Sequence, residues 1–366
     1  MVKKLMKGSE AIGEAAVWAG CHSYFCYPIT PQTEVAEYLA RRLPQVDGVF
    51  LQAESEVAAA NMLFGASGTG TRVFTSSSSP GISLMSEAIS YIAAAQLPVV
   101  LVNIMRSGPG LGGILPAQSD YFQSTRGGGH GDYRLLVLAP STVQEAVDLM
   151  MKAFDLADTY MNPVMMVGDG LIGQMMEPVE FPEDYKPVEV DHSTWATTGC
   201  KGRDPHLVKT LFLDPVANMK HNEHLARKYA EISEKEQAWE DWNLDEEYDA
   251  LIVSYGTMSR VCKTAIEDLA AEGVKVGMVR PITLWPFPYD AVYKAANRPH
   301  VKAVVSVEMS MGQLIDDVRL AVKNTKPVSW YGKAGGIIPS PEEVAEQIRT
   351  LVADGKADSA GQPPQG

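Results

Sequence analysis

Through the first 180 residues, apolar positions fall into two alternating spacings. Apolar residues three and four apart predict helices over 8–19, 33–42, 55–67, 82–95 and 142–159. Between them lie short apolar runs bounded by Gly, Pro and Asp: VFLQ from Val49, RVFT from Arg72, PVVLVNI from Pro98, RLLVLAP from Arg134 and PVMMVGD from Pro163. Buried runs that alternate with helices predict βα units around a parallel sheet covered on both faces. Such a layer carries its working loops at the carboxyl ends of the strands.

From about residue 180 the alternation stops. The stretch 191–247 is rich in Pro, His, Lys and Glu and includes the charged run HNEHLARKYAEISEKEQAWEDW from His221, which predicts a connector with one solvated helix. Alternation resumes with DALIVSYG, VKVGMVRPI and VKAVVSVEM, separated by helical segments, so 248–353 reads as a second, smaller α/β domain after a first domain of 1–190. The tail 354–366, DGKADSAGQPPQG, is small and polar and is expected to be disordered. No internal repeat is visible. The longest apolar stretch, 88–105, contains Gln96 and Pro98 and suits a helix, a turn and a strand better than a membrane span.

A length of 366 residues accommodates the two domains at about 150 residues each. The net charge of −14 would repel a phosphate backbone, which argues against nucleic acid as a partner. The N-terminus begins basic, but Glu10 and Glu14 interrupt any apolar signal core, and a cytoplasmic location is expected. Four cysteines, Cys21, Cys26, Cys200 and Cys262, are too few and too irregular for a disulfide scaffold or an iron–sulfur cluster and read as inert thiols in a reducing compartment.

Several strand ends carry chemistry. In YPITPQTE (27–34) two prolines stiffen the chain around Ile29 and Thr30, so Thr30 either caps the next helix or holds an anion at its start. AESEVAAA puts Glu54 and Glu56 at a strand-to-helix junction; the alanines after Glu56 suggest burial, and a buried carboxylate needs a partner or a purpose. Arg106 follows the run from Pro98, with glycines behind it, and its fork suits a ligand carboxylate or an interdomain salt bridge. In TSSSSPG, Ser79 before Pro80 reads as an N-cap. His130 in TRGGGHGDYR reads as a turn residue, and His221 with His224 lacks a third zinc ligand nearby. GDG at 168–170 resembles the start of a thiamine diphosphate metal motif, but no Asn follows between 191 and 209 to complete a magnesium shell, so it reads as a strand end.

Taken in order, YPITPQTE, ESEVAAA, MRSGPGLGG, AQSDYFQS with GGGHGDYR, VEMSMGQL and GGIIPSPEEV resemble the α subunit of the 2-oxoacid:ferredoxin oxidoreductases, and most of all the 3-methyl-2-oxobutanoate (2-oxoisovalerate) subgroup. The resemblance implies that the first domain binds the aminopyrimidine of thiamine diphosphate and that the second is like the transketolase C-terminal domain. It places the diphosphate and Mg2+ site on a β subunit and 4Fe-4S clusters on partner subunits, among them γ and a ferredoxin-like δ. Coenzyme A is the co-substrate and ferredoxin the electron acceptor. By the same resemblance Glu56 hydrogen-bonds N1′ of the aminopyrimidine, Pro28 and Ile29 lie against the cofactor, and Thr30 and Arg106 hold the oxoacid. Where many relatives read R-x-G-P-S-T-G-x-P-T, this chain has RSGPGLGGIL, so Leu115 replaces a Thr. If it faces the substrate tail, an apolar lining favours a branched aliphatic acid and disfavours 2-oxoglutarate, with the same reaction on 2-oxoglutarate, pyruvate or an aryl oxoacid as the alternative. Ser310 stands where relatives often carry Asn.

Overall fold

The computed structural model describes residues 3–354 and Pro363. The remainder of the expected disordered tail lies outside the described residues.

Eight strands occupy the first 180 residues: β1 (Lys4–Lys7), β2 (Ser23–Cys26), β3 (Val49–Gln52), β4 (Val73–Ser77), β5 (Val99–Met105), β6 (Leu136–Leu138), β7 (Val164–Asp169) and β8 (Met176–Val179). Six of them form one parallel sheet in the order β6-β7-β5-β4-β2-β3, while β1 and β8 make a separate antiparallel pair. Strands β4, β5 and β7 are buried along their whole length. That is why their sequences are continuous rather than alternating. Strand β2 escapes the periodicity reading because it is four residues long and lies inside CHSYFC. Tyr24 on it stacks between Phe50 and Phe74, with ring centroids 5.8 and 4.6 Å away.

Beyond the first domain, helix Pro215–Lys235 supplies the expected charged run. Six more strands follow: β9 (Trp239–Trp242), β10 (Ala250–Val253), β11 (Val276–Pro281), β12 (Thr283–Trp285), β13 (Ala303–Glu308) and β14 (Val328–Gly332). The second sheet runs β14-β13-β10-β11-β9, parallel except for β9. Two strands cross the boundaries that composition suggests. Strand β9 comes from the connector stretch and edges the second sheet, and β12 leaves the second domain to pair antiparallel with β6, making the first sheet seven-stranded. Both are short and tryptophan-bearing, with too few residues to show a period. Among the described residues no helix is long and apolar enough to cross a membrane.

Polar ties reinforce the exchange. Arg280, on β11, gives a two-pronged fork to Glu145 at 2.8 and 3.0 Å and donates from Nε to Glu240 at 2.6 Å. Its side chain is 5% exposed. Replacing it by Ala leaves Glu240 with Lys263 and Glu145 with Ser141 but removes three charged hydrogen bonds at once, so Arg280→Ala is expected to cost about 2 kcal/mol of stability, read as a lowered denaturant midpoint.

Candidate active site at the strand ends

The parallel strands of the first sheet deliver four loops to one end. After β2, the loop 27–32 is fixed by Gln32. The Tyr24 hydroxyl donates to Ser76 Oγ, Ser76 donates to Gln32 Oε1 at 2.6 Å, and Gln32 Nε2 donates to the Tyr27 carbonyl at 3.2 Å. Thr30 does not cap the following helix, which begins at Thr33 with Gln32 in the cap position. Its side chain is exposed, and its carbonyl accepts from Arg106 Nη1 at 2.9 Å. Pro28 and Ile29 are half-buried beside it.

After β3, Ser55 caps helix Glu56–Ser67 through its hydroxyl, which accepts the Ala58 N–H at 3.2 Å. Glu54 is exposed, whereas Glu56 is 5% exposed and makes no hydrogen bond among the described residues. Helix Ser79–Ala94 closes over it at Gly81. A Cβ there would fall 2.9 Å from Glu56 Oε1 and 2.1 Å from Ser77 Oγ, so the approach requires glycine. The hydroxyls of Thr75, Ser77 and Ser78, at the end of β4, are buried and unpartnered. Ser77 Oγ and Glu56 meet at the same point above Gly81, and a buried carboxylate and hydroxyl left unsatisfied there are costly unless a ligand completes them.

Ser79 is not the N-cap that its place before Pro80 suggests. Ser78 takes that position, and Ser79 is the first helical residue. Its hydroxyl instead accepts the Arg106 N–H at 3.0 Å and donates to Asp120 at 2.5 Å. Arg106, at the end of β5, is 6% exposed. It donates to the carbonyls of Thr30 and Leu111, its Nε is buried without an acceptor, and among the described residues no carboxylate forms an ion pair with it. The interdomain salt bridge is thus not its role. A buried guanidinium whose direct partners are neutral carbonyls has room for an anionic ligand.

Asp169 of GDG caps helix Gly170–Gln174, accepting from Leu171 N and Ile172 N, and also accepts from the Thr257 hydroxyl in the second domain. Burial pushes its carboxyl up. It is fully engaged as a strand-end cap. His221 stacks on Phe212 and His224 bonds Gln96, and among the described residues no group of three or more His, Cys, Asp or Glu side chains could hold a metal. Burial raises the Cys21 and Cys262 thiols to about 12 and Cys26 to about 11, so all three are inert at neutral pH; Cys200 is exposed.

Comparison with known proteins identifies the group. Residues 14–241 match the family described as pyruvate flavodoxin/ferredoxin oxidoreductase, thiamine diphosphate-binding, and residues 249–344 match pyruvate:ferredoxin oxidoreductase core domain II. The chain belongs to the 2-oxoacid:ferredoxin oxidoreductase family. It is 46% identical over 354 residues to ketoisovalerate oxidoreductase subunit VorB of Methanothermobacter thermautotrophicus, covering 97% of this chain and 99% of that one. It is 34% identical to 2-oxoglutarate synthase subunit KorA of Methanocaldococcus jannaschii, covering 95% and 100%. A solved 2-oxoglutarate:ferredoxin oxidoreductase from Magnetococcus marinus, with 2-oxoglutarate, coenzyme A and succinyl-CoA bound, superposes with a TM-score of 0.87 at 27% identity over 96% of this chain. The present chain spans 65% of that longer one. A split-gene transketolase, 14% identical with a TM-score of 0.58, shares the fold over 96% of this chain and 99% of its own.

Within the oxidoreductase subunit, Glu56 and Arg106 both meet the first turn of helix Ser79–Ala94, Glu56 at Gly81 and the Arg106 N–H at Ser79, with the Thr30 carbonyl tethered to Arg106. Leu115 lies against the second domain. Its carbonyl accepts Ser107 N at 3.1 Å, and its side chain lies where a Cβ on Gly336 of the second domain would fall 2.3 Å from Leu115 Cβ. Leu111, Ile114 and Leu115 are all exposed along this loop. His130 is exposed at a turn, where its carbonyl accepts from Ser90. Ser310 donates to the buried Glu308, which also accepts from the N–H groups of Gln313, Leu314 and Ile315 and so closes the start of helix Leu314–Val322. Sequence reasoning assigns no role to Gln32, Asp120 or Glu308. Gln32 and Glu308 are polar residues buried beside strand ends, and unlike Glu56 they have no run of small residues after them to signal it.

Proposed function

We propose that this chain is the α subunit of a complex that oxidatively decarboxylates a branched 2-oxoacid, 2-oxoisovalerate above others, with coenzyme A as acyl acceptor and ferredoxin as electron acceptor. The observation that carries the reading is Arg106, a buried guanidinium with an unused Nε–H and, among the described residues, no ion-paired carboxylate, placed beside the exposed Thr30. A 2-oxoacid carboxylate supplies the anionic ligand, and the Thr30 hydroxyl reaches the neighbouring keto oxygen.

The residues fit the pyrimidine half of thiamine diphosphate. Glu56 is a buried carboxylate with no protein partner among the described residues, and Ser77 offers an unpaired hydroxyl beside it at Gly81. Thiamine diphosphate, when bound, supplies the carbon nucleophile that makes a 2-oxoacid lose its carboxyl group. Glu56 holds and moves a proton at the pyrimidine nitrogen, Pro28 and Ile29 wall the ring, and Arg106 orients the oxoacid.

A partner subunit completes the site. Asp169 is engaged as a helix cap and interdomain tie, which supports placing the diphosphate and Mg2+ on a β subunit. Helix Glu56–Ser67 is apolar on most faces yet leaves Val57 and Gly65 uncovered, as does Leu51 on the sheet edge, so this face calls for a second chain. The 4Fe-4S clusters belong to γ and δ partners in this reading. Four free cysteines accord with the cytoplasm.

Substrate choice follows from the apolar loop. Leu111, Ile114 and Leu115 offer no partner to the distal carboxylate of 2-oxoglutarate. In anaerobic assays of the assembled complex, kcat/KM for 2-oxoisovalerate is expected to exceed that for 2-oxoglutarate, pyruvate and aryl oxoacids by about 10-fold or more. A preference for 2-oxoglutarate overturns the Leu115 argument. The relatives at 34% identity that act as 2-oxoglutarate synthase subunits make that acid the second reading. A non-catalytic scaffold is disfavoured by the joint presence of Thr30, Glu56 and Arg106 at one sheet end.

A further inference from the structure

Asp120 stands at the N-cap of helix Tyr121–Arg126 but does not cap it. An aspartate there ordinarily accepts from the N–H groups of its own first turn. Here Oδ2 is turned away and accepts from the Ser79 hydroxyl at 2.5 Å and from Asn103 Nδ2 at 3.0 Å. Asn103 Oδ1 in turn accepts the Ser79 N–H at 3.0 Å. The Ser79 hydroxyl has one proton and two acceptors in reach, Asp120 at 2.5 Å and the Arg106 carbonyl at 3.3 Å. The shorter, charged acceptor takes it, which leaves the Oγ lone pairs free for the Arg106 N–H at 3.0 Å.

The carboxylate therefore sets the rotation of the hydroxyl that pins the backbone from which the guanidinium extends. Burial pushes the Asp120 carboxyl up, and the hydrogen bonds from Ser79 and Asn103 with the charge of Arg106 pull against that rise. Asp120 also lines a cleft of about 650 Å³ between the two domains, with Ser79, Ser107, Gln123, Met311 and Gln313. The network thus sits at the wall of an open space rather than deep in the core.

We propose that Asp120 is a positioning residue for Arg106, acting through Ser79 to hold the guanidinium where it receives the oxoacid carboxylate. The proposal rests on the reading of Arg106 given above. Loss of the acceptor frees the Ser79 proton for the Arg106 carbonyl, and the strand end loses its fixed position.

Steady-state kinetics of the assembled complex test it. Asp120→Ala is expected to raise KM for 2-oxoisovalerate about 10-fold and to leave KM for coenzyme A within about twofold. Asp120→Asn, which keeps an acceptor for Ser79, recovers most of that loss. In an Arg106→Ala background Asp120→Ala adds less than about twofold, because the group it positions is gone. An equal effect in both backgrounds, or a parallel rise in KM for coenzyme A, overturns the proposal. Ser79→Ala removes the relay and keeps the carboxylate; it is expected to give the same selective rise, and an unchanged oxoacid KM there overturns the proposal even if Asp120→Ala does not assemble. If Arg106→Ala alone leaves the oxoacid KM unchanged, the reading of Arg106 fails, and the positioning role falls with it.

Discussion

Glu56→Gln is expected to abolish turnover in the assembled complex while leaving assembly intact. The amide is nearly isosteric and fills the same space beneath Gly81, so packing of helix Ser79–Ala94 is retained. What is lost is the ability to hold and release a proton at the pyrimidine nitrogen, a function whose removal costs roughly 10²- to 10⁴-fold in rate. The variant should elute with its partners in size-exclusion chromatography and show no measurable oxoacid-dependent reduction of ferredoxin. Near-normal turnover would remove Glu56 from the reaction altogether. The buried, unpartnered state of the carboxylate is what separates this expectation from that for Glu54, which is two residues away and exposed.

Arg106→Ala carries the second large effect. A charged hydrogen bond to the substrate carboxylate is worth up to about 3 kcal/mol, so kcat/KM for the oxoacid should fall by up to roughly 10²-fold. The side chain also ties Thr30 and Leu111 to the end of β5, and some of the loss comes through those tethers. Arg106→Lys is expected to recover little, because one ammonium cannot reproduce a fork that reaches two carbonyls and still present an N–H to a ligand. Unchanged kinetics in Arg106→Ala would show that the carboxylate is held elsewhere.

Much of the first sheet is legible in the sequence, because β4, β5 and β7 are buried on both faces and write themselves as unbroken apolar runs between amphipathic helices. The strands that escape, among them β2, β9 and β12, are short and are defined by which neighbour they pair with. Pairing is a long-range choice with no local period. The site divides in the same way. Glu56 and Arg106 announce themselves by position at strand ends, whereas the choice between capping, ion pairing and ligand binding depends on what surrounds them. For Thr30 the helix begins three residues late, and for Arg106 no carboxylate among the described residues forms an ion pair. Ser79 shows the limit from the other side, since a good capping sequence is overridden by a neighbouring carboxylate and amide that are far away along the chain.

The crossing of β12 into the first sheet has a consequence for biosynthesis. Strand β6 is paired on one side by β7 and on the other only by Thr283–Trp285, more than 140 residues downstream. A nascent chain that has already emerged through its thiamine diphosphate-binding region therefore still carries an open sheet edge. Such an edge is a template for pairing with other chains. The edge closes only once the chain has been made through Trp285, inside the second domain, so the first sheet is completed after synthesis of the second domain has begun.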